Sequence, residues 1–100
     1  MPIDYIGLYN QNPYVKIGTI ATAGSTNEED IENELKRAAN YVEILNLGPG
    51  SISISFSNDG VNFTSAISCI KDEFRGYEIY VKKVKISADA DNTQYEIFAY

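Results

Sequence analysis

Residues 51–60 read SISISFSNDG, and this stretch decides the fold class. Isoleucine and phenylalanine alternate with serine over 51–57, which is the period of a β-strand that has one buried and one exposed face. Asn58-Asp59-Gly60 follows directly, with the residues that a tight hairpin turn favours. The stretch therefore predicts a strand over 51–57 that turns back into a second strand over 61–68.

The rest of the chain repeats this pattern of short β-rich segments separated by turn residues. Further strands are predicted over 4–9, 14–22, 41–47, 77–81, 84–88 and 94–100, whereas 71–76 is polar and indicates a turn. Strands at this regular spacing, about eight in all, are typical of a sandwich or a small barrel. We expect one mainly β domain spanning 1–100, an antiparallel β-sandwich or jelly-roll-like barrel.

One short helix is predicted over about 27–39. Apolar residues recur there at helical spacing, at Ile31, Leu35, Ala38 and Ala39. The range 25–29 matches a capping box, in which a hydroxyl residue is followed three positions later by Glu. Acidic residues open the segment and Lys36-Arg37 lie near its end, as the helix dipole prefers.

Charge and hydropathy argue against two classes of partner. The net charge of −6 would repel a phosphate backbone, and Lys82, Lys83 and Lys85 form the one local cluster of bases, so we expect no nucleic-acid partner. No apolar run approaches the ~20 residues that span a bilayer, so we expect no membrane association. The first residues, 1–5, lack a basic region followed by an apolar one, so no signal peptide is expected.

The residue types present argue against catalysis. Histidine is absent, which removes the commonest general base and metal ligand, and we expect neither an enzyme nor a cofactor. Cys69 is the single cysteine and lies between apolar residues, which predicts a buried, structural thiol. The loop Asp89-Ala90-Asp91-Asn92 has two readings, an oxygen-ligand site for a hard cation or a solvated hairpin turn, and it lacks the Gly and the bidentate Glu of an EF-hand loop.

Two features predict a surface that meets a partner. The first is the uncharged serine face of the strand over 51–57, because a solvated strand usually carries Lys or Glu to prevent edge pairing. The second is the pair of strands over 41–47 and 94–100, each apolar on both faces, so that one face needs the core and the other needs a cover. That cover is either a partner or the helix and loops of the same chain. The candidate interface residues are Ser51, Ser53, Ser55, Tyr41, Leu45, Phe98 and Tyr100.

The sequence resembles small virion proteins of tailed bacteriophages. The resemblance rests on ANYVEILNLGPG at 39–50, SISISF at 51–56 with Asp59-Gly60, VKKVKISA at 81–88 and YEIFAY at 95–100. It implies a β-sandwich that decorates a capsid or joins head and tail parts, often as a trimer. A protein of this kind is made in the host cytoplasm, ends in the virion, and has itself and other virion proteins as partners.

An alternative function comes from the hairpin at 55–63, SFSNDGVNF. It resembles the Ser-Asn-Asp-Gly-x-x-aromatic hairpin of discoidin-type sandwiches that bind carbohydrates and lipids. That resemblance implies a carbohydrate- or cell-surface-binding module that uses exposed tyrosines and the Asn58-Asp59 loop.

Overall fold

The computed structural model describes residues 13–100, and the strand predicted over 4–9 lies outside them. This part of the chain forms eight strands and one helix. The strands are β1 Tyr14–Ile20, β2 Thr26–Asp30, β3 Val42–Gly48, β4 Ile52–Ser57, β5 Ile67–Cys69, β6 Phe74–Tyr77, β7 Lys83–Ala88 and β8 Thr93–Ala99, and the helix is α1 Ile31–Leu35. The predicted mainly β fold with one short helix is confirmed.

The strands form two antiparallel four-stranded sheets. Sheet 1 has the order β1-β8-β3-β6 and sheet 2 has the order β2-β7-β4-β5. Side chains from both sheets form one buried cluster, to which β4 contributes Ile52, Ile54 and Phe56 as its alternation predicts. The architecture is therefore that of a β-sandwich.

The predicted helix over 27–39 is wrong in its extent. Residues Thr26–Asp30 form β2 and pair with β7, and α1 covers five residues, beginning after the N-cap Asp30, whose side chain accepts a bond from Asn33 N at 3.2 Å. The capping box predicted at 25–29 therefore does not exist. The acidic residues of 27–30 favour a helix locally, but bonds from β2 to other strands prevail over that propensity.

The turn predictions between β4 and β7 also need correction. Residues 61–66 are irregular, so the returning strand is the short β5, and the tight hairpin predicted at 58–60 is the start of a longer loop. The polar stretch predicted as a turn at 71–76 contains the start of β6, which pairs with β3. Propensity failed here because a short edge strand is specified mainly by its neighbour in the sheet.

Asn46 holds the connection between β3 and β4. Its side chain is fully buried, donates to Gly50 O at 2.8 Å and to Cys69 O at 2.9 Å, and accepts from Gly48 N at 2.8 Å. Gly48 has a φ of 80°, a left-handed conformation that glycine adopts without a steric penalty. This side chain therefore ties the turn at the end of β3 to β5.

Candidate functional site

Sheet 1 has an apolar outer face. The register places two rows of residues across it, Val15, Phe98, Glu43 and Gly76 in one row and Ile17, Glu96, Leu45 and Phe74 in the next. The side chains of Val15, Ile17 and Phe74 are 59%, 60% and 58% exposed. We call these two rows, with Tyr41 and Tyr100 at their margin, the outer face.

Strand parity explains why these residues point outward. On β8, Tyr95, Ile97 and Ala99 are fully buried in the core, so Glu96 and Phe98 between them take the opposite side. On β3 the buried Val42 and Ile44 likewise alternate with Glu43 and Leu45. Tyr41, Leu45, Phe98 and Tyr100 lie together on one surface, but Glu43 and Glu96 also take outward positions, so the outward sides of β3 and β8 are apolar only in part.

Aromatic rings cluster at one corner of the outer face. The ring centroid of Tyr41 lies 5.6 Å from that of Tyr100 and 6.5 Å from that of Phe98, and the Phe98 and Tyr100 centroids are 5.6 Å apart. The Tyr41 hydroxyl donates to Glu43 Oε2 at 2.8 Å, and this bond raises the pKa of Tyr41. Gly76 makes room for that hydroxyl, since a Cβ there would lie 2.7 Å from it. The glutamate on this corner is thus held in a defined position.

A small depression lies in the middle of the outer face. Its volume is about 130 Å³, and it is lined by Glu43, Leu45, Phe74, Glu96 and Phe98. Glu43 and Glu96 lie on adjacent strands in successive rows, which makes them diagonal neighbours about 7–8 Å apart. Glu43 and Glu96 are the two charged residues that β1, β3, β6 and β8 direct to this side, and both are acidic.

The serine face lies on the other sheet and differs from its prediction. Ser53 is exposed, while Ser51 and Ser55 are half-buried. Strand β4 is bonded to β5 and to β7, so it has no free edge, and a partner could meet only its serine face. Ser55 also pairs with Lys85, whose Nζ lies 4.1 Å from the centroid of the Phe63 ring, so charge is present beside the serines.

A larger groove borders the loop after β4. It measures about 520 Å³ and is lined by Phe56, Asn58, Asn62, Phe63, Thr64, Ile79 and Tyr80. Asp59 shapes the loop by accepting bonds from Val61 N at 2.8 Å and from Asn62 N and Nδ2 at 2.7 Å each. The two backbone bonds hold the pKa of Asp59 well below its usual range. The sequence indicated this loop, but the wall formed by Ile79 and Tyr80 comes from a distant segment.

A buried carboxylate between the two sheets was not foreseen from the sequence. Glu29 on β2 is 2% exposed and accepts bonds from Tyr14 Oη at 2.5 Å, from Lys16 Nζ at 3.0 Å and from the Tyr95 hydroxyl. Asn27 Nδ2 donates to Tyr95 Oη at 3.2 Å. Burial alone would raise the pKa of Glu29, but the bonds from the tyrosines and the lysine outweigh it and lower that pKa. Both oxygens of the Glu29 carboxylate thus accept hydrogen bonds, and these bonds join β2 to sheet 1.

The other two predicted sites, the loop at 89–92 and Cys69, make hydrogen bonds within the fold. Asp89 Oδ1 accepts from Ser51 N and Asp91 Oδ1 accepts from Ala23 N, both at 2.8 Å, so each carboxylate holds a turn. In residues 13–100 no group of three or more His, Cys, Asp or Glu side chains is arranged to hold a metal ion. Cys69 is fully buried as predicted, its thiol donates to Glu73 O at 3.1 Å, and burial raises its pKa.

No helix within residues 13–100 has the length and apolar character needed to cross a bilayer. Comparisons with protein-family models, with curated proteins and with solved structures found no match to the chain. The outer face of sheet 1 and the groove beside Tyr80 are the two candidate binding surfaces.

Proposed function

We propose that this chain is a structural subunit of a tailed-phage virion, a capsid-decorating or head–tail component that acts by binding neighbouring proteins. The observation that carries the proposal is the outer face of sheet 1. An antiparallel sheet with one solvated side normally alternates apolar residues inward with polar residues outward. Here Val15, Ile17 and Phe74 point outward at more than half exposure.

The composition of the outer face fits protein binding. Contiguous exposed apolar side chains mark interaction sites, and burying them contributes roughly 25 cal/mol per Å². Aromatic residues are enriched at the centres of such interfaces, and Tyr41, Phe98 and Tyr100 form a cluster here. In a virion, many copies displayed together raise the overall strength of attachment through avidity.

Gene neighbourhood and co-expression test this proposal. We expect a capsid, portal or other virion gene beside the gene for this chain, and a complex with the protein it encodes in size-exclusion chromatography with light scattering. The double variant Ile17→Thr/Phe74→Ser should fold normally, because both side chains are exposed, and should lose the complex. The same light-scattering run on the chain alone measures the expected self-association, which would use a surface other than the outer face.

The control variant is Ser53→Lys, which alters the outward side of sheet 2 and leaves the outer face unchanged. It should retain the complex. If Ser53→Lys abolishes binding and the double variant does not, the serine face is the interface and the outer face is not. A gene surrounded by no virion genes would overturn the phage assignment itself.

A second candidate function, binding of a neutral carbohydrate, is favoured by the groove beside Tyr80. It combines aromatic rings with the amides of Asn58 and Asn62 and a threonine hydroxyl, and rings with a few convergent polar groups are typical of small-ligand sites. A glycan array followed by calorimetry tests it. Specific binding that is lost in Tyr80→Ala and in Asn58→Ala would establish this function, and an array without specific binding would reject it.

A further inference from the structure

We propose that the depression on the outer face receives an arginine side chain of the partner protein. The inference rests on the proposed docking function and specifies the partner's chemistry. Carboxylates of Glu43 and Glu96 flank the depression, and Leu45, Phe74 and Phe98 form its walls. A guanidinium group placed there would meet negative charge and aromatic side chains together.

The negative charge on the outer face favours a partner other than a second copy of the chain. An isologous dimer through the outer face would bring Glu43 and Glu96 of one copy against those of the other, and like charges juxtaposed across an interface oppose association. Among residues 13–100, the strands of sheet 1 direct no cation to this place. Lys16 lies on the opposite side of β1 and pairs with Glu29, and Arg75 pairs with Glu73. A basic side chain supplied by a partner would therefore complement the face.

The two carboxylates differ in what already contacts them. Glu43 accepts a bond from the Tyr41 hydroxyl, which fixes one of its oxygens, whereas within residues 13–100 Glu96 has neither a hydrogen-bond donor nor an ion-pair partner. A half-buried carboxylate without a partner, next to apolar side chains, gains most from a donor that arrives with the binding protein.

The walls favour arginine over lysine. A guanidinium is planar, is weakly hydrated and stacks on aromatic rings, whereas an ammonium is a compact, strongly hydrated point charge. Its fork of donors can also reach two acceptors at once, as the diagonal placement of Glu43 and Glu96 requires. The partner surface is therefore an arginine surrounded by apolar side chains, which cover Val15 and Ile17.

Selection from a random peptide library tests this inference. The probe is a displayed library of twelve-residue peptides panned on the whole chain, and the enriched peptides are then synthesised for calorimetry. We expect them to carry arginine next to apolar residues. Glu96→Gln should weaken their binding about tenfold, and Glu43→Gln should have a similar effect. Replacing the peptide's arginine by lysine should also weaken binding.

The matched control is Glu28→Gln, which removes the same charge from the exposed side of sheet 2 and should leave peptide affinity unchanged. Peptides that lose affinity for Ile17→Thr/Phe74→Ser but bind Glu43→Gln and Glu96→Gln as tightly as the wild type would overturn the arginine pocket and leave the docking function standing. Peptides that bind the Ile17→Thr/Phe74→Ser variant unchanged would overturn both.

Discussion

Replacing Tyr95 by phenylalanine removes one hydroxyl group from the cluster around Glu29 and leaves the buried ring in place. The lost bond is one to a charged group, and such bonds contribute about 1.5–3 kcal/mol. Tyr14 and Lys16 still donate to the carboxylate, so Glu29 is not left without partners. We therefore expect the free energy of unfolding at pH 7 to fall by about 2 kcal/mol, which lowers the melting temperature by roughly 8–16 °C for a chain of this size.

The pH dependence of this loss gives a sharper test. Burial opposes ionisation of Glu29, but the bonds from its donors lower its folded-state pKa overall. A lowered pKa contributes stability above the unfolded-state pKa, about 4.3, and that contribution disappears as the pH falls through the folded-state pKa. The variant has a higher folded-state pKa than the wild type. The difference in stability between the two proteins should therefore shrink as the pH is lowered from 7 toward 3.

Urea unfolding followed by far-ultraviolet circular dichroism at pH 7, 5 and 3 measures both quantities. Tyr80→Phe is the matched control, because Tyr80 is 58% exposed and lies outside the Glu29 cluster, so its hydroxyl should be dispensable for folding. A Tyr95→Phe protein within about 0.5 kcal/mol of the wild type at pH 7 would show that the cluster does not stabilise the fold. A difference that stays constant down to pH 3 would show that Glu29 is not the group responsible.

Three further substitutions test the packing. Ile54→Asp places an unpaired charge where the side chain is fully buried, so it should cost more than about 4 kcal/mol and abolish the cooperative melt seen by circular dichroism, whereas a native-like melt would mean that Ile54 does not face the core. Gly18→Ala puts a Cβ into the ring of Tyr95 and should lower the free energy of urea unfolding by about 1–3 kcal/mol, while an unchanged value would indicate that the ring can move aside. Ser53→Lys adds a charge at an exposed position and should change stability by less than about 0.5 kcal/mol, so a larger loss in the same titration would contradict its outward placement.

The sequence predicted the elements whose signals are local. Alternation at 51–57 identified β4 and its buried side, and two-sided apolar strands identified Tyr41 and Phe98 on the outer face. Strand β2 was missed because its buried Glu29 depends on Tyr14 and Tyr95, which lie 15 and 66 residues away along the chain. No local pattern reveals that a carboxylate so placed has enough donors to be buried.

The outer face was only partly predictable for a similar reason. Which side of β1 faces the core depends on Gly18, whose missing side chain admits the Tyr95 ring and leaves Val15 and Ile17 outside. Phe74 was missed because its polar neighbours predicted a turn, while pairing with β3 makes it part of a strand. The orientation of β1 and the place of Phe74 in a strand both depend on strand pairing, which a single sequence specifies weakly.

The outer face has a kinetic consequence because its two central strands, β3 and β8, are bonded on both sides. A partner that docks there orders side chains and does not need to fold a loop, so association carries a small entropic cost. Among related partners or variants, differences in affinity should then appear mainly in how long the complex lasts and much less in how fast it forms.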